Sequence, residues 1–316
     1  MRTLRTLALL SPFLAVALYG AEAAAACAPY DPSDGFGMPG AAPVSNPRHY
    51  TLREIGGCDN LVCWLDNVSG TDYANATLVI DQVCHLKQTV RLPPRFVLAG
   101  VGMDGEGILG FTNLTTDQPA IRVASVGGAG NSTIRDLRIA GPGQPALYGR
   151  GIELVDASQV ILERVRISDF RMGIYGHSSY SIVVSQCSLH DNRVNIFMDE
   201  LSNSWRVRDS IISRAATYGV FQTISGGGAN QNGSVFAGNR MEANLGGAMY
   251  VTSLGTVIRD TYFELNGTAA PFVAVRTTPS ASETKIIGNI FSSDVVNNAG
   301  ALTECAFNIN LFGACP

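Results

Sequence analysis

From residue 131 onward the chain repeats one short pattern: an apolar residue, two variable positions, a small or apolar residue, one variable position, an apolar residue. It reads Ile134-Leu137-Ile139, Leu162-Val165-Ile167, Val184-Cys187-Leu189, Val207-Ser210-Ile212, Phe236-Asn239-Met241, Ile258-Thr261-Phe263 and Ile286-Asn289-Phe291. Successive starts lie 28, 22, 23, 29, 22 and 28 residues apart, a base period of 22–23 with three insertions. A second alternating piece follows each of the first six: Ile152-x-Leu154, Ile174-x-Gly176, Ile196-x-Met198, Val220-x-Gln222, Met249-x-Val251 and Val273-x-Val275. Alternation is strand periodicity. Two strands in so short a period exclude a helical solenoid, whose helix pairs need roughly 33 residues or more, and no leucine-rich consensus is present. The pattern predicts an all-β chain wound as a single-stranded parallel β-helix. Asn192, Asn244, Asn266 and Asp294 fall two or three residues past the first strand. They predict a side-chain ladder at a turn with left-handed backbone, a scaffold feature rather than a site.

The segment 89–111, TVRLPPRFVLAGVGMDGEGILGF, places a strand, a Pro-Pro turn, a Leu-x-Gly-x-Gly strand end and another strand in succession. It resembles the entry coils of the pectate-lyase-like right-handed β-helix superfamily. The resemblance covers about residues 75–295 and implies an elongated right-handed coil of a kind often used on polysaccharides. The chain then divides into a leader (1–26), an N-terminal arm and first-coil cap (27–74), the β-helix (75–295) and a C-terminal cap (296–316). Gly100-Val-Gly102-Met-Asp-Gly105 matches a dinucleotide fingerprint, but Gly107, Ile108, Gly110, Phe111 and Thr112 make a poor helix where that site needs a helix N-terminus. Asp104 and Glu106 read as a tight turn.

The first residues carry Arg2 and Arg5, an apolar run from Leu7 to Leu18 and small residues from Ala21 to Ala26. This is a secretory signal peptide, too short to span a membrane. It places the protein outside the cell, in the periplasm or in the envelope. A lipid anchor on Cys27 is the weaker reading, because Ala24 stands where a lipoprotein signal usually has Leu. The formal charge of −4, from 22 Lys and Arg against 26 Asp and Glu, lacks the basic excess of a nucleic-acid partner. Export favours disulfides among the seven cysteines. Spacing suggests a Cys58–Cys63 loop and a Cys305–Cys315 clasp, which leaves Cys27 free to pair with Cys84. Cys187 occupies an apolar repeat position and reads as a buried thiol. No cofactor is implied, and calcium has no support in the residues.

Stacking lets outward columns be read from sequence, because equivalent positions lie ~4.8 Å apart on successive coils. With Ile152, Ile174, Ile196, Val220, Met249 and Val273 inward, and Ile121 before them, the next residues face outward: Arg122, Glu153, Tyr175, Phe197, Phe221, Tyr250 and Ala274. Four consecutive aromatics in an exposed column require an explanation. Either sugar rings stack on them, or they are covered by the N-terminal arm or a second subunit, which would make the column a homo-oligomer contact. Two residues on, the column reads Ala124, Val155, His177, Asp199, Thr223, Thr252 and Arg276. A His beside a carboxylate is an oriented base. Tyr175, His177 and Asp199 are therefore the candidate catalytic residues, and Phe197, Phe221, Tyr250, Glu153 and Arg276 the candidate substrate contacts. A plain polar ladder closing the strands is the competing reading. The signatures of the superfamily's enzymes are absent. There is no Asn-Thr-Asp or Asp-Asp pair, Arg91-Leu-Pro-Pro-Arg95 departs from Arg-x-Pro-x-x-Arg, and Tyr175-Gly-His177 shares only the outline of Tyr-Gly-Phe-Asp-Pro-His. Two functions follow: a secreted β-helix that binds and cleaves an extended polysaccharide as a lyase or glycoside hydrolase, or a non-catalytic secreted or envelope β-helix for glycan binding, adhesion or structure.

Overall fold

The computed structural model describes residues 49–68, 75–105, 107–115, 117–124, 131–143, 148–223, 232–268, 272–292 and 294–309. The leader, Cys27 and Cys315 lie outside the described residues. Every strand pairs in parallel with its equivalent one coil on. Nine strands, from Val90–Leu92 to Asp294–Asn297, form one sheet, and a second sheet of eighteen strands takes up the rest. Ile134, Leu162, Val184, Val207, Phe236, Ile258 and Ile286 pair in unbroken register, and each is fully buried. The expected inward column Ile121, Ile152, Ile174, Ile196, Val220 and Met249 is likewise fully buried. This stacked apolar interior is the core, and the described part runs from His49 to Ile309.

Most coils hold three strands rather than two, and in two coils the first pair runs on as one bent strand, Thr133–Ala140 and Ile161–Ser168. The first hydrophobic piece bends in its middle at a residue with positive φ. Asp136, Arg164, Gln186, Asp209, Gly238, Asp260 and Gly288 share this position, with φ between 51° and 67°. The i, i+3, i+5 apolar spacing is the trace of that bend: one left-handed residue keeps both arms facing inward. At the next corner the asparagine ladder forms, with Asn192, Asn244, Asn266 and Asp294 all fully buried. Asn244 Nδ2 donates to Asn266 Oδ1 at 2.8 Å, and Asn266 Nδ2 to Asp294 Oδ2 at 2.7 Å. The left-handed backbone there belongs to the residues just before the ladder, Asp169, Asp191, Arg214, Ala243 and Leu265, so the asparagines act through their side chains.

A helix, Cys58–Val68, buries Leu61, Leu65 and Val68 against the first strands. Cys58 and Cys63 both stand on it, five positions apart, so their side chains point about 140° apart around the axis and do not bridge. Cys58 bonds instead to Cys84 of the strand Val83–Leu86, with Cα atoms 5.4 Å apart. This replaces both the Cys58–Cys63 loop and the Cys27–Cys84 pair. Cys63 and Cys305 each take part in a disulfide. Cys187 is a free buried thiol, pushed up to about 12 by burial. After Gly100-Val-Gly102 a turn closes from Gly105 N to Gly102 O, and the strand Ile108–Phe111 follows. Among the described residues no helix is long and apolar enough to cross a membrane.

Candidate functional site

The outer face of the nine-stranded sheet carries the candidate residues. Tyr175 pairs with Phe197, Phe197 with Phe221, and Phe221 with Tyr250, one coil per step. Their ring centroids lie 5.8, 5.3 and 4.8 Å apart, and the Phe221 and Tyr250 planes are within 11° of parallel. Phe197, Phe221 and Tyr250 are half-buried, and Phe221 is stacked between the other two, so the row turns ring edges outward. Tyr218, at the start of its strand, widens the platform, with its ring 5.3 Å from Phe221 and 5.5 Å from Tyr250. Sequence columns missed it because it stands outside the aromatic register.

Tyr175, His177 and Asp199 meet at the end of this row. Register places His177 directly opposite Asp199. The Tyr175 hydroxyl donates to Asp199 Oδ2 at 3.0 Å. The other carboxylate oxygen accepts from Glu200 N at 3.0 Å, where φ of 44° turns the chain out of the strand. The His177 imidazole lies between two acids, with Nδ1 3.7 Å from Asp199 Oδ2 and Nε2 3.5 Å from Glu200 Oε2. Neither distance is a hydrogen bond. Nδ1 is covered by protein and makes no hydrogen bond. Burial first, and then the Asp199 charge, push the Tyr175 phenol up to about 12. At neutral pH it is a proton donor and not a base.

The local sequence holds this cluster in place. Gly176, between Tyr175 and His177, points inward. A Cβ there would stand 2.3 Å from Trp205 Cζ2. The buried Trp205 indole fills that space and donates to Ser179 O at 3.3 Å. The strand bearing Tyr175 and His177 thus rests on a large rigid ring.

Two candidates sit differently from expectation. Glu153 is almost fully buried between Arg122 and Arg150, each of which donates to one of its oxygens. Both its oxygens are taken and it is buried, so it anchors the two arginines rather than meeting substrate. Arg150, unmarked by the sequence columns, also lays its guanidinium carbon 4.0 Å from the Tyr175 ring centroid. Arg276 pairs with Tyr250, not with Thr252. The strand Phe272–Thr277 enters two residues out of the expected register, with Val275 opposite Met249 and Ala274 fully buried. Arg276 therefore ends the aromatic row and does not extend the His177–Asp199 column.

Among the described residues no group of three His, Cys, Asp or Glu is arranged to hold a metal ion. A family model for the right handed beta helix region matches residues 99–231. ORF18 of Geobacillus virus E2 aligns at a TM-score of 0.65 and 13% identity, over 82% of this chain and 60% of that one. DFA-IIIase from Arthrobacter chlorophenolicus A6 without its lid, in complex with GF2, gives 0.62 and 11% over 83% of this chain and 90% of that one. The Dettilon tailspike protein gives 0.56 and 13% over 77% of this chain and 56% of that one. No curated protein matches the chain by sequence.

Proposed function

From the premise that the chain is a right-handed parallel β-helix of the pectate-lyase-like type, we propose that it is an exported protein whose nine-stranded face binds an extended polysaccharide and cleaves it at Tyr175, His177 and Asp199. One observation carries the reading: a continuous row of half-buried rings abuts a His–carboxylate–phenol cluster on consecutive coils. A chain laid along the coil axis meets a ring every ~5 Å, close to the size of a pyranose. The outward edges of the stacked rings form one apolar strip that supplies area and orientation. The disulfides suit an oxidising compartment. DFA-IIIase complexed with GF2 and the Agl-KA catalytic domain are built on the same coil.

In this mechanism Tyr175 donates a hydrogen bond or a proton, and Asp199 orients it. His177 is the base, with Glu200 beside its outer nitrogen. Glu153, Arg122 and Arg150 hold the end of the platform against Tyr175.

A glycan panel scored together for binding, reducing ends and unsaturated-product absorbance tests the reading. Phe221→Ala should weaken the affinity of the bound glycan about tenfold. His177→Ala should lower turnover by roughly 10²–10⁴ while leaving affinity nearly unchanged, since a base acts on the transition state. If Phe221→Ala weakens binding and no cleavage occurs with or without His177, the face binds only. That is the non-catalytic reading, which the absent enzyme signatures favour. Wild-type behaviour of both variants on every bound glycan refutes the site.

A further inference from the structure

On the eighteen-stranded sheet, away from the aromatic face, the strands Val83–Leu86, Ile108–Phe111 and Thr133–Ala140 stack in register. Cys84, Leu109 and Ile139 point inward and are fully buried. The residues between them form two outward columns, Val83–Ile108–Arg138 and His85–Gly110–Ala140. The second column loses its side chains after His85. Gly110 and Ala140 make a low floor, and a Cβ on Gly110 would lie 3.1 Å from His85 Nδ1. The result is a pocket of about 440 Å³, walled by Arg138, His85, Val83, Ile108 and Pro142, with Thr112 at its edge. No acidic residue lines it.

Arg138 distinguishes this pocket from an ordinary surface dip. It is half-buried, its Nε is covered by protein without a hydrogen bond, and its side chain has no acidic partner among the described residues. The next arginine in its column, Arg166, is satisfied on both sides, by Asp104 at 2.9 Å and by His190 Nε2 at 2.9 Å. Asp104, the acid that reaches this face, is thereby taken. A partly desolvated cation with unused donors costs stability unless something anionic completes it. A guanidinium matches a planar carboxylate with paired donors. The remaining walls are apolar.

We propose that this pocket is a second ligand site, independent of the polysaccharide face, that takes a small organic acid. The carboxylate would lie on Arg138, and an apolar body the size of one ring against Val83, Ile108 and Pro142. The volume suits one such molecule.

Ligand-observed NMR titration of the purified protein with benzoate tests this, with benzyl alcohol as the probe of equal size and no charge. Benzoate should bind saturably, and benzyl alcohol about tenfold more weakly or worse. Arg138→Gln should weaken benzoate by about tenfold or more, and Ala140→Leu, which fills the floor, by a similar factor. Phe221→Ala should leave benzoate affinity at the wild-type value, which separates this site from the polysaccharide face. Circular dichroism confirms that each variant is folded. Should Arg138→Gln fail to fold, the Ala140→Leu and benzyl alcohol comparisons decide. The proposal is overturned if wild type shows no saturable benzoate binding, if benzyl alcohol binds as well as benzoate, or if folded Arg138→Gln keeps wild-type affinity.

Discussion

Gly176 shows how one residue serves both scaffold and site. Its neighbours Tyr175 and His177 face outward, and only the absence of a Cβ lets Trp205 pack beneath them. Gly176→Ala drives a methyl into a ring edge at 2.3 Å, an overpacking that should cost roughly 1–3 kcal/mol in urea unfolding. Trp205→Phe in the same chain should recover part of that loss, and equal stability of wild type and Gly176→Ala would contradict the packing. At Val207, fully buried between Val184 and Phe236, truncation to Ala should cost on the order of 1–3 kcal/mol by the same measurement. Asn266 begins an Asn-x-Thr sequon but is fully buried, and its Nδ2 donates to Met241 O at 2.9 Å. Glycan mapping of protein made in a eukaryotic host should find it unmodified. At this scale, Tyr175, His177 and Asp199 were legible because strand period and coil spacing together determine which residues become neighbours. Arg150 and Tyr218 were not, since they lie at strand starts where alternation has yet to set in. Arg276 was misplaced by a register offset that apolar residues on both sides of it disguise.

The asparagine ladder is the element whose energetics can be read most directly. Asn244 and Asn266 each donate to a strand carbonyl and to the rung beyond: Asn244 to Ile212 O and Asn266 Oδ1, Asn266 to Met241 O and Asp294 Oδ2. Asp294 is the rung that breaks the rule, because it has no donor for the equivalent carbonyl of Phe263. Burial pushes its carboxyl above the usual carboxylate range, against the lowering effect of the Asn266 donors. An acid with a raised folded value binds its proton more tightly folded than unfolded. Stability is therefore gained as pH falls from that raised value toward the ordinary one, and the full cost is carried at neutral pH. Asp294→Asn completes the ladder. It should raise unfolding free energy by about 1 kcal/mol at neutral pH, with the gain shrinking in acid; a gain independent of pH would show that the carboxylate is not the cause. The ladder was visible in the sequence as spaced Asn. The bend inside each first strand was not, because one left-handed residue changes direction without disturbing the apolar pattern. The helix Cys58–Val68 escaped notice because its apolar stripe of Leu61, Leu65 and Val68 is only two turns long and its flank is rich in Gly.

The described residues form a one-dimensional stack, in which each coil touches mainly the coil before and the coil after. Stability in such a stack travels through neighbour interfaces, so its ends decide where opening begins. At the N-terminal end the helix Cys58–Val68 lies on the first strands, tied to them by the Cys58–Cys84 disulfide, which closes a loop of sequence separation 26. The chain-entropy estimate for a loop of that size is roughly 3–4 kcal/mol. Replacing both cysteines by Ser should lower the denaturant midpoint accordingly, and addition of reductant should then have less effect on the variant than on wild type. Leu61 is fully buried beneath this helix. Leu61→Ala should therefore loosen the stack from one end. Hydrogen exchange is expected to rise most in Leu78, Leu98 and their coil neighbours and least in Ile258 and Phe263, near the other end of the described stack. A uniform rise along all coils would mean that the stack opens as a single cooperative unit. In that case a cap mutation would reach Tyr175 and His177 as strongly as the first coil, and the site's rigidity could not be separated from the stability of the molecule's end.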